Sequence, residues 1–216
     1  MSTQKRNGGR TLIVGLLLGL SACMGGEAAR RETAVPVANA PRPAEAALNA
    51  ALATLKASQA AGQTGTLKGI GMLSLPPAPP VALEKRAVSL MPSTPDLEAA
   101  LGTIAHKWRQ GRRRPVALAE LQAAFALLDR HVRAVRAAGA QAFLRFAETD
   151  DKGQFSFEAI PAGRWLLVTS LESPVSALLW AIPGDITAGE SLQVTVGSGS
   201  ILLEGRTSPG EEPATQ

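Results

Sequence analysis

Chemistry in a polypeptide needs a nucleophile, a metal cage, a paired acid and base, or a recognition platform, and this 216-residue chain is sparing with all of them. Its single thiol is Cys23, so no intramolecular disulfide can form. The two histidines, His106 and His131, each fall on a predicted helix with no second histidine or cysteine at ligand spacing, so neither completes a zinc site and no metal is expected. No Gly-x-Ser-x-Gly elbow is present, which leaves no catalytic triad to assemble by motif and no enzyme to expect. Asp150 and Asp151 beside Gly153 could offer oxygens to calcium, which takes roughly six to eight, but EF-hand spacing is missing and turn formation accounts for them. Trp165 and Trp180 are the candidate ligand platform, since an indole face held at the surface can stack on a sugar. Both stand in apolar runs, where core packing competes with that role. No cofactor is expected.

The surroundings of Cys23 are more specific. Lys5, Arg6 and Arg10 precede an apolar run over residues 12–20, and Ser21-Ala22 suits cleavage, so residues 1–22 read as a secretory signal. The run is too short to cross a bilayer comfortably as a permanent helix. Leu20-Ser21-Ala22-Cys23 resembles the lipobox of bacterial lipoproteins. That resemblance implies cleavage between Ala22 and Cys23, diacylglycerol on the Cys23 sulfur, and acylation of the new amino terminus, with palmitate among the acyl groups. Several chains, at about 0.8 kcal/mol per buried methylene, make an anchor that hardly dissociates. Met24 in place of Asp implies the outer membrane by that family's sorting rule, in a cell with two membranes. An ordinary secretory signal with an incidental cysteine, or an uncleaved anchor, is the alternative.

Removing Lys5, Arg6 and Arg10 from the 22 basic residues leaves 19 against 18 acidic ones. A nearly neutral mature chain has little long-range attraction for nucleic acid, and that class of partner is set aside. Membrane lipid is the expected partner, with an envelope protein or polysaccharide beside it.

Residues 23–63 read as a lipidated tether interrupted by Pro36, Pro41 and Pro43, although residues 44–61 carry Leu48, Leu52 and Leu55 at helical spacing. The domain proper is expected over 64–204. Residues 64–74 suit a first strand. Gly69 and Gly71 there lack the turn, helix and downstream acid of a phosphate loop, and glycines in a strand mark close backbone approach. The proline-rich stretch 75–80 is a connector, and 81–91 a second strand with Val88 and Leu90 in step. A helical hairpin is expected at 95–139. Ser93 or Thr94 caps it, Leu97, Leu101, Ile104 and Trp108 form one stripe, and Leu118, Leu121, Phe125, Leu128, Val132 and Val135 another, with Gly139 closing. The stripes serve each other, the sandwich or a second protein. Lys107, Arg109, Arg112, Arg113, Arg114, Arg130, Arg133 and Arg136 make the hairpin basic, either as a solvated face or as a contact for lipid headgroups.

Residues 141–169 read as strand, polar turn, strand, Pro-Gly corner and strand, with a hairpin across the turn. Strands at 174–182 and 191–196, turns at 183–185 and 188–190, an edge at 201–203 and a flexible tail at 205–216 complete the expectation. The total is about seven strands in a mainly β, antiparallel sandwich with an inserted helical hairpin. Thr149, Asp150, Gly153, Phe155, Phe157, Ile160, Pro161, Gly163 and Trp165 carry a pattern that resembles the carboxypeptidase regulatory-like domain, a transthyretin-like sandwich. Trp165 stands where that family more often has Tyr, and the helical insertion departs from its compact form. The resemblance implies a non-catalytic accessory module.

Overall fold

A computed structural model describes residues 43–74, 77, 79–110, 116–172 and 176–206. The signal, the Ala22-Cys23 junction, residues 23–42 of the tether, the basic turn with Arg112, Arg113 and Arg114, and residues 207–216 lie outside the described residues.

In chain order the elements are α1 (Pro43–Ala60), β1 (Thr64–Leu73), β2 (Val81–Ala82), β3 (Ala87–Pro92), α2 (Pro95–Gln110), β4 (Val116–Ala117) and α3 (Leu118–Ala137). Then follow β5 (Arg145–Glu148), β6 (Gln154–Pro161), β7 (Gly163–Glu172), β8 (Ser176–Ile186), β9 (Ser191–Gly197) and β10 (Leu203–Arg206). The strands form two sheets. In the first, β1 lies between antiparallel β6 and parallel β9, and β2 pairs with the far end of β1. The second has six strands in the order β4-β10-β8-β7-β3-β5.

Leu67, Phe155, Phe157 and Val196 from the first sheet meet Val88, Leu90, Leu167 and Trp180 from the second in one buried core. The opposite face of the six-stranded sheet is buried too. Met91, Leu166, Leu179 and Leu203 pack there against Leu97, Leu101 and Trp108 of α2 and Leu121, Ala124 and Leu128 of α3. Strands β7 and β8 are therefore covered on both faces, which is why they read as unbroken apolar runs rather than alternating ones. The mainly β sandwich with a helical hairpin stands, and the hairpin docks on the sandwich.

Thr94 caps α2, its hydroxyl accepting the Leu97 N–H at 3.2 Å. Gly139, at φ 65°, closes α3 through the Gly139 N–H to Arg136 and Ala140 N–H to Val135 bonds. The tether is shorter than its composition implies, because Leu48, Leu52 and Leu55 of α1, which begins at Pro43, are buried in the sandwich core.

Several local expectations fail for identifiable reasons. Residues 141–143 form a 3₁₀ turn rather than the start of a strand, burying Phe143 against Trp165 at 6.3 Å and leaving Phe146 of β5 66% exposed. The turn after β5 reverses the chain without making a hairpin: β5 pairs with β3 and β6 with β1, so the chain crosses between sheets. The turn carries its own hydrogen bonds. Asp150 Oδ1 accepts the N–H groups of Lys152 and Gln154 at 2.8 and 2.7 Å, and buried Thr149 donates to the Leu83 carbonyl while accepting the Arg86 N–H at 2.9 Å. The 81–91 strand is split at Lys85, whose φ is 51°. Pro183-Gly184-Asp185 is no turn but part of β8, paired with β7 through Leu166, Trp165 and Arg164. Proline is tolerated because β10 pairs with β8 only over residues 176–179, so Pro183 owes no second ladder bond. Short β4 and β2 raise the strand total among the described residues to ten, and β10 takes Gly205 and Arg206 out of the expected tail.

Candidate functional site

Among the described residues one sheet face is left uncovered, the outer side of β1, β6 and β9. Leu67 points inward there, and so, by parity, do Gly69 and Gly71. A Cβ on Gly69 would lie 2.1 Å from the Phe155 ring, and one on Gly71 3.1 Å from the Leu83 side chain. These neighbours supply the apolar bulk that the glycines lack, which explains the irregular apolar pattern of residues 64–74. Ile70, an apparent core residue in the sequence, consequently sits on the outer side.

The outward side chains make an ordered array. Thr66 stands opposite Ser191; Lys68 is flanked by Ser156 and Gln193; Ile70 is flanked by Gln154 and Thr195. Rows repeat about every 7 Å along the strands and strands about every 5 Å across them. The last two rows, with Glu148 and Asp150 at one side, line a concave groove of about 680 Å³. Lys68, Gln154, Ser156 and Thr195 make no side-chain hydrogen bond to any described residue, so their donors and acceptors are spent on solvent. One lysine against two carboxylates gives the groove no pull on a polyanion. It can offer hydrogen bonds to an uncharged polar chain around the aliphatic Ile70. Sequence reasoning missed this face, although its signal, the alternation of Lys68, Gln193 and Thr195 with apolar neighbours, is visible in β1 and β9.

The residues singled out from sequence fare differently. Trp165 and Trp180 are 1% and 0% exposed, and their indole N–H groups donate to the carbonyls of Pro161 and Gly197, each at 2.9 Å. Both belong to the sandwich core, and neither presents a ring to a ligand. Ala22 and Cys23 lie outside the described residues. His106 is exposed and meets the Gln110 side chain at 2.8 Å. His131 is half-buried, its Nε2–H donating to the Pro92 carbonyl at 2.8 Å. Burial pushes the His131 pKa below the ordinary imidazole value, against the opposing pull of that carbonyl. Among the described residues no three His, Cys, Asp or Glu side chains gather as a metal cage. No described helix is long and apolar enough to cross a membrane.

One charged cluster ties α2 to the sheet. Arg164 donates to Glu98 from Nε at 2.8 Å and Nη2 at 2.9 Å, and to Asp185 from Nη1 at 2.5 Å; Ser93 also donates to Glu98, at 2.7 Å. The Arg164 hydrogen bonds hold the Glu98 carboxyl below its usual range, and Glu98 in turn raises the guanidinium pKa. Every charge here is satisfied within the protein, which makes the cluster a clamp.

No protein-family model matches the chain, and no curated protein is significantly similar to it in sequence. Among solved structures, a candidate carbohydrate-binding protein of Pseudomonas aeruginosa is 16% identical, with 62% of this chain and 88% of that one covered and a TM-score of 0.37. The minor pilin of Streptococcus agalactiae is 12% identical, over 71% of this chain and 49% of that one, with a TM-score of 0.36. The pilus backbone protein of Streptococcus pneumoniae is 12% identical, over 60% and 40%, with a TM-score of 0.29. All three scores are low, and the fold assignment rests on the sheets and their shared core.

Proposed function

We propose that this chain is a lipid-anchored, non-catalytic module of the cell envelope, held by acylated Cys23 and presenting the outer face of β1, β6 and β9 to a partner. The observation that carries the reading is Leu20-Ser21-Ala22-Cys23 at the end of a signal-like apolar run, upstream of a packed domain whose first described element begins at Pro43. Residues 23–42 then serve as the spacer, and fully extended they reach at most about 70 Å, enough to clear a headgroup layer. In a cell with two membranes the anchor sits in the outer membrane, on its periplasmic face or at the surface. The Thr149 to Trp165 motif, whose turn and corner are two of the places where the chain passes between sheets, is the ground for reading kinship with the carboxypeptidase regulatory-like domains.

An envelope protein or a polysaccharide suits the exposed face, because Lys68, Gln154, Ser156 and Thr195 have hydrogen-bonding capacity that the protein itself does not use. With both indoles buried, a polysaccharide would have to be held by that polar array. The test is fractionation and palmitate labelling of the full chain and its Cys23→Ser variant. The wild type is expected in the membrane fraction with label and the variant in the soluble fraction without it. Membrane retention of the variant would overturn the anchor.

A further inference from the structure

Where the first turns of α1 and α2 meet the middle of α3, the described residues line a half-open cavity of about 430 Å³. Its walls are apolar: Leu48 of α1 and Leu97 of α2, both buried, with Leu127 of α3. Two opposite charges, Asp96 and Arg130, also line it. They do not pair with each other, and neither side chain has a hydrogen-bonding or ionic partner among the described residues. Glu45 at the same rim is already engaged in an interaction of its own.

Two neutral groups stand beside these charges with capacity unspent. His131 donates Nε2–H to Pro92, so its neutral ring keeps Nδ1 as an acceptor. Buried Thr94 accepts the Leu97 N–H, and its hydroxyl proton has no acceptor among the described residues. The cavity thus combines a carboxylate and an acceptor, a guanidinium and a donor, and an apolar wall. An anion alone would meet Asp96, and a cation alone would meet Arg130. Asp96 and Arg130 are both exposed at the rim, so a neutral apolar molecule would leave them to water and use the apolar wall alone.

We propose that this cavity binds a zwitterion with an apolar tail, its ammonium on Asp96, its anionic end on Arg130, and its tail against Leu48, Leu97 and Leu127. Two sources share that chemistry, an apolar α-amino acid and a single-chain aminophospholipid. The site stands apart from the outer sheet face and does not depend on the anchor.

The experiment is calorimetric titration of the full chain carrying Cys23→Ser with L-leucine, L-phenylalanine and, below its micellar concentration, myristoyl-lysophosphatidylethanolamine. Saturable binding of an amino acid alone identifies a soluble ligand, and of the lysolipid alone a membrane-derived one; both outcomes support the site. N-acetyl-leucine and leucinamide, each lacking one charge, are expected to bind at least about tenfold more weakly, as is leucine to Asp96→Asn or Arg130→Gln, since one charge-assisted hydrogen bond is worth about a factor of ten. Both variants are expected to keep the parent melting temperature. Absence of binding by both amino acids at millimolar concentration and by the lysolipid up to its micellar concentration, equal binding of the singly charged analogues, or unaltered affinity in both variants would overturn the proposal.

Discussion

Replacing Gly163 by Ala tests the corner that carries the chain from β6 to β7. Gly163 has φ 148°, a region that L side chains rarely adopt, and a Cβ there would lie 2.6 Å from Leu55 Cδ2 of α1. Holding a non-glycine residue in such a region costs about 1–3 kcal/mol. Forcing a methyl into a filled core adds about 1–3 kcal/mol more. A combined loss of about 2–6 kcal/mol, at roughly 2–4 °C per kcal/mol for a chain of this size, lowers the melting temperature by about 4–24 °C. Differential scanning calorimetry on the Cys23→Ser chain measures it. The same substitution in a Leu55→Ala background separates the contributions, because removing the leucine removes the clash and leaves the backbone cost. There Gly163→Ala is expected to cost at least about 1 kcal/mol less than in the parent. An unchanged melting temperature would refute the corner geometry. Equal costs in the two backgrounds would refute the seating of α1 against it.

Thr149→Val keeps the shape of a buried side chain but abandons the Leu83 carbonyl and the Arg86 N–H, and urea titration is expected to register a loss of about 1–3 kcal/mol. Because Arg164 lowers the folded-state pKa of Glu98, that carboxylate's contribution is complete above about pH 4.5, its unfolded value, and is lost as pH falls through the lower folded value. Glu98→Gln should therefore flatten the acid side of the stability curve, by no more than about 1 kcal/mol since Arg164 is well exposed; an unaltered acid limb would contradict the clamp. All three tryptophans are buried, so emission should be blue-shifted and poorly quenched by acrylamide, whereas red-shifted, freely quenched emission would restore a surface platform.

The parts of the fold legible in the sequence are those with local causes. The caps at Thr94 and Gly139, the stripes of α2 and α3, and the Asp150 turn depend on residues within a few positions of each other, and each appears where its side chains imply. What was hidden depends on distant partners. Nothing local says that β5 and β6 join different sheets, because the alternation of Phe155 and Phe157 looks the same whichever strand they pair with. Gly69 reads as a weak strand position until Phe155 is seen filling its space. The outer face was obscured for the same reason, since Ile70 looks like core and becomes surface only once the glycines are assigned inward. Leu48, Leu52 and Leu55 were visible as a helical stripe, but their burial in the sandwich required the corner at Gly163 to receive them.

Intact-mass and peptide analysis of the mature protein recovered from cells bears most directly on the anchored module. The account predicts a chain that starts at Cys23 with diacylglycerol on its sulfur and an acyl group on its amino terminus. A mature chain with an unmodified amino terminus, whether it starts at Cys23 or upstream of it, would contradict that account.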